Sequence, residues 1–305
     1  MKRLVAVLAA VFMIGLSVYV RSWLDDSDGG SSSSGPLRIA CIPELTDGCN
    51  ALRDSGVEVI VEAPGITVTR LAGAQPDIDG WLTLDPWPAI ADAKASRSTA
   101  TPTAAVASSP LQIAVVGERS GPLAAACGGA VGWRCLIEHV NQPWSELGGR
   151  PEWGPMRVGL PPTSSASGLL LYANAIAGYF GRVDYGTNDF DAEFQAWNAG
   201  IRSAVSDSPF TRFVQQYPAA YTAVGALGAE VRTGLGTRPA TVVDSDPAGR
   251  AVVVVAALRS RDANDLAKRR ALTDALQRSG WTDGPVPTDR TGLPSAGVLL
   301  ALSGL

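Results

Sequence analysis

Residues 37–62 read LRIACIPELTDGCNALRDSGVEVIVE: a near-continuous apolar run, a polar interval, then a second run in which Val57, Val59 and Val61 alternate. The first run, 37–42, has the length and β-branched content of a buried strand. Residues 46–55 suit a short helix, and 57–62 form a second strand. A strand–helix–strand opening requires a crossover, so the two strands run parallel with the helix against one face. Outward from this unit, 67–74 predicts a helix and 81–84 a third strand. Residues 92–110, rich in Ala, Ser, Thr and Pro, predict an exposed excursion before a buried strand resumes at 111–116.

The middle of the chain is more helical. A strand at 156–160 leads to Ser164 or Ser165, either of which can cap a long apolar helix running through Leu169, Leu170, Ile176 and Phe180. Phe190, Phe194, Trp197, Ile201 and Val205 recur at helical spacing on one face, and Ser208 with Pro209 opens the next helix. That helix carries a second stripe, Phe210, Phe213, Val214 and Tyr217, and both stripes read as core. A strand at 251–257 and a helix at 263–278 restore the β/α pattern, which lets a first lobe be assembled from both ends of the chain.

The chain has 305 residues, 46% of them apolar and 18% charged, with a formal net charge of −4. That balance argues against nucleic-acid binding, which concentrates Lys and Arg into a basic face. Lys2 and Arg3 precede an uncharged apolar run at 4–20, closed by Arg21, Asp25, Asp26 and Asp28. This is an export signal, read as an uncleaved membrane anchor, with cleavage near the small residues Gly15 and Ser17 as the alternative. The positive-inside rule then puts everything after Arg21 outside the membrane. Residues 1–23 are thus a signal anchor or signal peptide, and the Gly- and Ser-rich 24–35 a flexible tether. The four cysteines fall in two close pairs, Cys41 with Cys49 and Cys127 with Cys135, for which local pairing is the simplest of three connectivities. Four free thiols are the alternative. His139 is the single histidine and no C-x-x-C occurs, so neither a metal site nor a cofactor is expected.

Four segments in order carry a resemblance: 37–45 (LRIACIPEL), 107–116 (ASSPLQIAVV), Trp144-Ser145-Glu146-Leu147 with 157–172 (RVGLPPTSSASGLLLY), and 271–284 (ALTDALQRSGWTDG). Together they resemble the extracellular solute-binding proteins of the type II periplasmic binding protein fold. That group includes molybdate-binding proteins and actinobacterial relatives, some of which carry a von Willebrand factor A domain; the resemblance here covers the binding part. It implies an α/β protein of two lobes, each a mainly parallel sheet flanked by helices, with 36–116 plus 238–305 as lobe 1, 117–237 as lobe 2, and a ligand cleft between them.

Such a cleft can hold a polar solute through hydroxyls and free amides at a helix start. Thr163, Ser164, Ser165 and Ser167 are the best candidates, with Ser109 and Ser120 as additional donors beside the crossing strand. Alternatively one serine caps the helix and the others meet water. Glu44 stands where molybdate-binding relatives place serine and would repel a dianion. With Asp85 it suits a cationic, amine-bearing or hydroxyl-rich ligand instead, unless both are solvated loop acids. Trp81, Trp87 and Trp144 could stack on a ring, although packing is the commoner role. No nucleophile motif is present: in GERSG, residues 117–121, the serine falls one place late for G-x-S-x-G, and His139 reads as structural. The chain is therefore expected to be no enzyme. It reads as an extracytoplasmic protein that captures a small polar solute between two lobes for uptake or sensing, working with a membrane transporter or sensor. The alternative is a ligand-free interaction module of the cell envelope on the same fold.

Overall fold

The opening unit folds as its alternation requires. β1 (Arg38–Cys41) leads through a short turn, Pro43–Leu45, into α1 (Thr46–Asp54) and β2 (Glu58–Val61), then α2 (Pro64–Ala72) and β3 (Gly80–Asp85). β1 pairs in parallel with both β2 and β3. The structure is a computed structural model and describes residues 36–73, 77–258, 262–282 and 292–305. The apolar run at 4–20 and the whole tether at 24–35 lie outside the described residues.

The next segment corrects the sequence reading. Instead of an exposed excursion, 92–110 contains the end of α3 (Trp87–Ala95), β4 (Thr101–Pro102) and the start of β5 (Ala107–Val116), where Ala107, Ser108 and Ser109 are buried. Alanine and serine have little strand preference, which hid the strand. Their burial is possible because each hydroxyl has a partner. Arg250 Nη2 donates to Ser108 Oγ at 2.8 Å, and the Ala229 amide donates to Ser109 Oγ at 2.8 Å.

The chain continues through α4 (Gly117–Ala126), α5 (Trp133–Glu138), β6 (Val158–Gly159), α6 (Ala166–Phe180), α7 (Ala192–Ser203), α8 (Pro209–Gln215), β7 (Ala223–Leu227) and α9 (Gly228–Gly234). It closes with β8 (Ala240–Asp244), β9 (Arg250–Ala257), α10 (Asp262–Leu266), α11 (Arg270–Arg278) and α12 (Ala296–Ser303). The strand order is β2-β1-β3-β9-β5-β7-β6, with β4 on β9 and β8 on β5. β5 belongs to two sheets: Ala107, Ser108, Ser109 and Pro110 pair with β9, whereas the residues from Leu111 onward pair with β7 and β8. The β1–β2–β3 and β6–β7 pairs are parallel, and the pairs made by β5 and β9 are antiparallel. β8 pairs with the second half of β5, and the chain pairs with the first half of β5 at β9.

The predicted helix at 263–278 is also two helices, α10 and α11. Leu266 and Leu272 are both fully buried. Six residues apart on an unbroken helix, they would point roughly 120° away from each other. The break lets both reach the core. The stripe through Phe194, Trp197 and Ile201 is core, as its spacing predicts, and Asp191 caps that helix by accepting from the Phe194 amide at 2.8 Å. Trp81, Trp87 and Trp144 are likewise at most 1% exposed, which assigns them to packing.

Both local disulfides form, Cys41–Cys49 and Cys127–Cys135. They fit an extracytoplasmic protein, since such bonds persist in oxidising compartments. Among the described residues no helix is long and apolar enough to cross a membrane. Cross-linking a loop of this length restricts the unfolded chain by about 2.5 kcal/mol. The double variant Cys127→Ala/Cys135→Ala is therefore expected to lose about that much unfolding free energy in urea titration, with its native circular dichroism retained.

Candidate functional site

α6 is the element that organises the site. It is apolar on nearly every side and buried from Ala166 through Ala177. Pro161 and Pro162 delay its start, and Ser165 caps it, accepting from the Gly168 amide at 3.1 Å while donating to Pro162 O at 2.8 Å. Gly168 is required there, because a Cβ at that position would lie 2.0 Å from the Pro162 carbonyl oxygen.

The first helical turn faces lobe 1. Glu44, in the turn after β1, accepts from the Ser167 amide at 3.0 Å and from Ser167 Oγ at 3.3 Å. The Trp87 indole donates to Ala166 O at 3.4 Å from the same side. A carboxylate thus rests on the helix N-terminus, where the backbone dipole favours negative charge. Its second oxygen, Oε2, is buried without a hydrogen-bond partner.

Around this contact lies a cleft of about 510 Å³. Lobe 1 contributes Pro43, Glu44, Ala63 and Pro64; lobe 2 contributes Ser164, Ser165, Ser167, Asp207, Ser208, Thr211 and Glu230. Apart from Asp207, Ser208 and Thr211 at the start of α8, these residues follow the carboxyl ends of β1, β2, β6 and β7, the usual place for ligands in open α/β sheets. Three carboxylates and five hydroxyls line it, and among the described residues no cationic side chain does.

No family model matches the chain, and no curated protein matches its sequence. Among solved structures it is similar to the Atu4243 GABA receptor, with a TM-score of 0.51 and 10% identity, covering 88% of this chain and 93% of that one. This is the type II periplasmic binding fold. The sulfate-binding protein SubI from Mycobacterium tuberculosis H37Rv also matches (TM-score 0.42, 16% identity, 83% and 88% covered). So does the C206S mutant of Corynebacterium glutamicum OxyR (0.48, 12%, 96% and 77%). At these identities the likeness concerns fold alone.

The structure brings Glu44, Ser164, Ser165 and Ser167 together in the cleft. Thr163 lines a neighbouring cavity of about 550 Å³ with Ser164, Tyr172 and Asn198. Besides Thr163, three expected residues lie outside the cleft. Ser109 caps the first turn of α9, and Ser120 Oγ donates to Gly117 O at 2.8 Å within α4. Asp85 ends β3 opposite Val252 of β9, at the same sheet edge as the ends of β1 and β2, but is not among the residues that line the cleft. It is half-buried, and desolvation pushes its carboxyl above the usual carboxylate range. His139 holds Gln142 Oε1 at 3.1 Å through Nδ1 and does not line the cleft.

Sequence reasoning missed Asp207, Thr211 and Glu230. Ser208-Pro209 was legible as a helix start, and could have marked its flanks as cleft residues. Glu230 had no local signal. Its Oε2 accepts from the Leu227 amide at 2.8 Å, and the side chain keeps solvent access through the cleft although protein surrounds it on most sides. Its carboxyl is pushed up to about 7, chiefly by desolvation, with the Glu44 charge adding to the rise and the Leu227 N–H opposing it. A carboxyl raised in the folded state costs stability as pH climbs from its ordinary 4.5 to about 7, because the unfolded chain ionises first. Glu230→Gln is therefore expected to melt above the wild type at pH 8, with the two curves converging at pH 4 in a calorimetric series.

Proposed function

We propose that the protein is an extracytoplasmic solute receptor that captures a small amine-bearing or hydroxyl-rich ligand between its lobes, for uptake or sensing. One observation carries this: the polar side chains lining the cleft, set among prolines, Ala63 and Phe210, are all carboxylates and hydroxyls, with no cation among the described lining residues. An oxyanion would meet Glu44 at the helix start that ordinarily attracts it, together with Asp207 and Glu230. A ligand ammonium would find three acceptors there, and sugar hydroxyls would find both donors and acceptors. Descent from the group that includes molybdate-binding proteins belongs to this reading as ancestry of fold, without molybdate as ligand. Retention by the apolar run at 4–20 and delivery to a membrane transporter or sensor complete it, and no catalytic step is assigned.

A second reading has its own support. Glu44 and Trp87 already join the lobes through Ser167 and Ala166, which is how a ligand-free envelope module with a self-filled cleft would be held. Thermal-shift measurements on the full chain with polyamines, amino acids and neutral sugars distinguish the two. A saturating ligand at a hundred times its Kd adds about 2.7 kcal/mol, which is readily seen as a rise in Tm. For a cationic ligand, Glu44→Gln is expected to weaken binding about tenfold or more, as loss of a charge-assisted hydrogen bond worth roughly 1.5–3 kcal/mol requires. No response to any of the three classes would favour the ligand-free module.

A further inference from the structure

Lobe 2 carries another cavity, at the opposite end of its parallel strands. β6 and β7 pair Val158 with Ala223 and Gly159 with Val224. The residues just before them therefore gather at the amino ends of these strands, whereas the cleft lies beyond the carboxyl ends. There a cavity of about 130 Å³ is lined by residues that include Arg119, Glu152, Trp153, Arg157 and Tyr221.

Arg119, in the first turn of α4, is only 7% exposed. Its guanidinium lies over the Trp153 ring, 5.5 Å from the centroid, and Nη1 reaches Thr222 Oγ1 at 3.5 Å, the outer limit of a hydrogen bond. Its Nε is buried with no partner. On the same indole Arg150 lies 5.7 Å from the centroid. Among the described residues, none of Arg119, Arg150 and Arg157 forms an ion pair, in contrast to the paired Arg38, Arg70, Arg134 and Arg182. Glu152 lines the cavity unpaired, and Glu118, beside Arg119 on the helix, is exposed.

A guanidinium cannot shed its proton to escape burial. Removing an ion from water without a counter-charge costs several kcal/mol, so Arg119 is placed to gain from an anion. Desolvation pulls its pKa below the ordinary arginine value, and the nearby Glu118 charge offsets this only in part. The cavity is well below the roughly 300–1,000 Å³ of drug-sized ligand sites.

We propose that this cavity binds one small oxyanion, a carboxylate or a tetrahedral sulfate or phosphate group, through Arg119 and Arg157. It is separate from the cleft and opposite to it in charge. The planar fork of arginine suits both oxyanion shapes, and Glu152 is the group that holds the affinity down.

Thermal-shift titration of the full chain with sulfate, phosphate and acetate, against chloride at matched ionic strength, tests this. A saturable rise in Tm beyond chloride is expected for at least one of the three; acetate alone would assign a planar carboxylate, sulfate or phosphate a tetrahedral group. Arg157→Ala, at the exposed rim, is expected to raise the half-saturating concentration tenfold or more, and Glu152→Gln to lower it. Arg119→Gln should abolish the response. Shifts no larger than those in chloride, or an anion response unchanged in Arg157→Ala, would overturn the proposal, whether or not Arg119→Gln folds.

Discussion

The structure depends on one strand being shared by two sheets. β5 runs for ten residues, almost wholly buried, and changes partners in its middle. Pro110 sits at the changeover. It has no amide proton to donate, which is tolerable only where a ladder ends or switches, and the next residue, Leu111, already donates to Gly249 O at 2.9 Å. From there the strand is flanked by β7 and β8 together. The two lobes are thereby covalently and hydrogen-bonded continuous along one side, and the cleft can lie only where the parallel strands end on the other.

α6 turns that geometry into chemistry. A helix this apolar has no favourable position at a surface, so it is buried, and its capped end is carried to the lobe boundary. Its free amides need acceptors. In this chain an acidic side chain from the opposite lobe supplies one, and the remaining polar side chains of the cleft are hydroxyls and carboxylates. The charge at the helix start is thereby set by Glu44, in the turn after β1.

The scaffold was more legible in the sequence than the site. The β1–α1–β2 unit, the Ser165 cap, the stripe on α7 and both disulfides follow from local pattern, because each depends on neighbours a few residues away. The start of β5 was invisible, since its Ala and Ser residues are made strand-like by partners at Ala229 and Arg250, more than a hundred positions distant. The break between α10 and α11 answers to two leucines that must reach one core. Within the site, Glu44 and Ser165 carried signals, an acid in an expected hydroxyl position and a cap. Glu230 enters only through the pairing of β5 with β7, which carries α9 to the cleft, and Asp85, although β3 ends at the same sheet edge as β1, is not among the residues that line it. Both facts belong to long-range topology.

The Glu44 contact also makes the cleft its own competitor. A carboxylate tethered a short distance from its binding point acts at an effective concentration on the order of millimolar or higher. Any free anion must exceed that occupancy before it can claim the amide of Ser167. A ligand that brings an ammonium group faces no such contest, since it recruits the resident carboxylate instead of displacing it. On the proposed reading the cleft is in this sense a charge filter, set by a group the protein carries with it and effective against anions below that concentration.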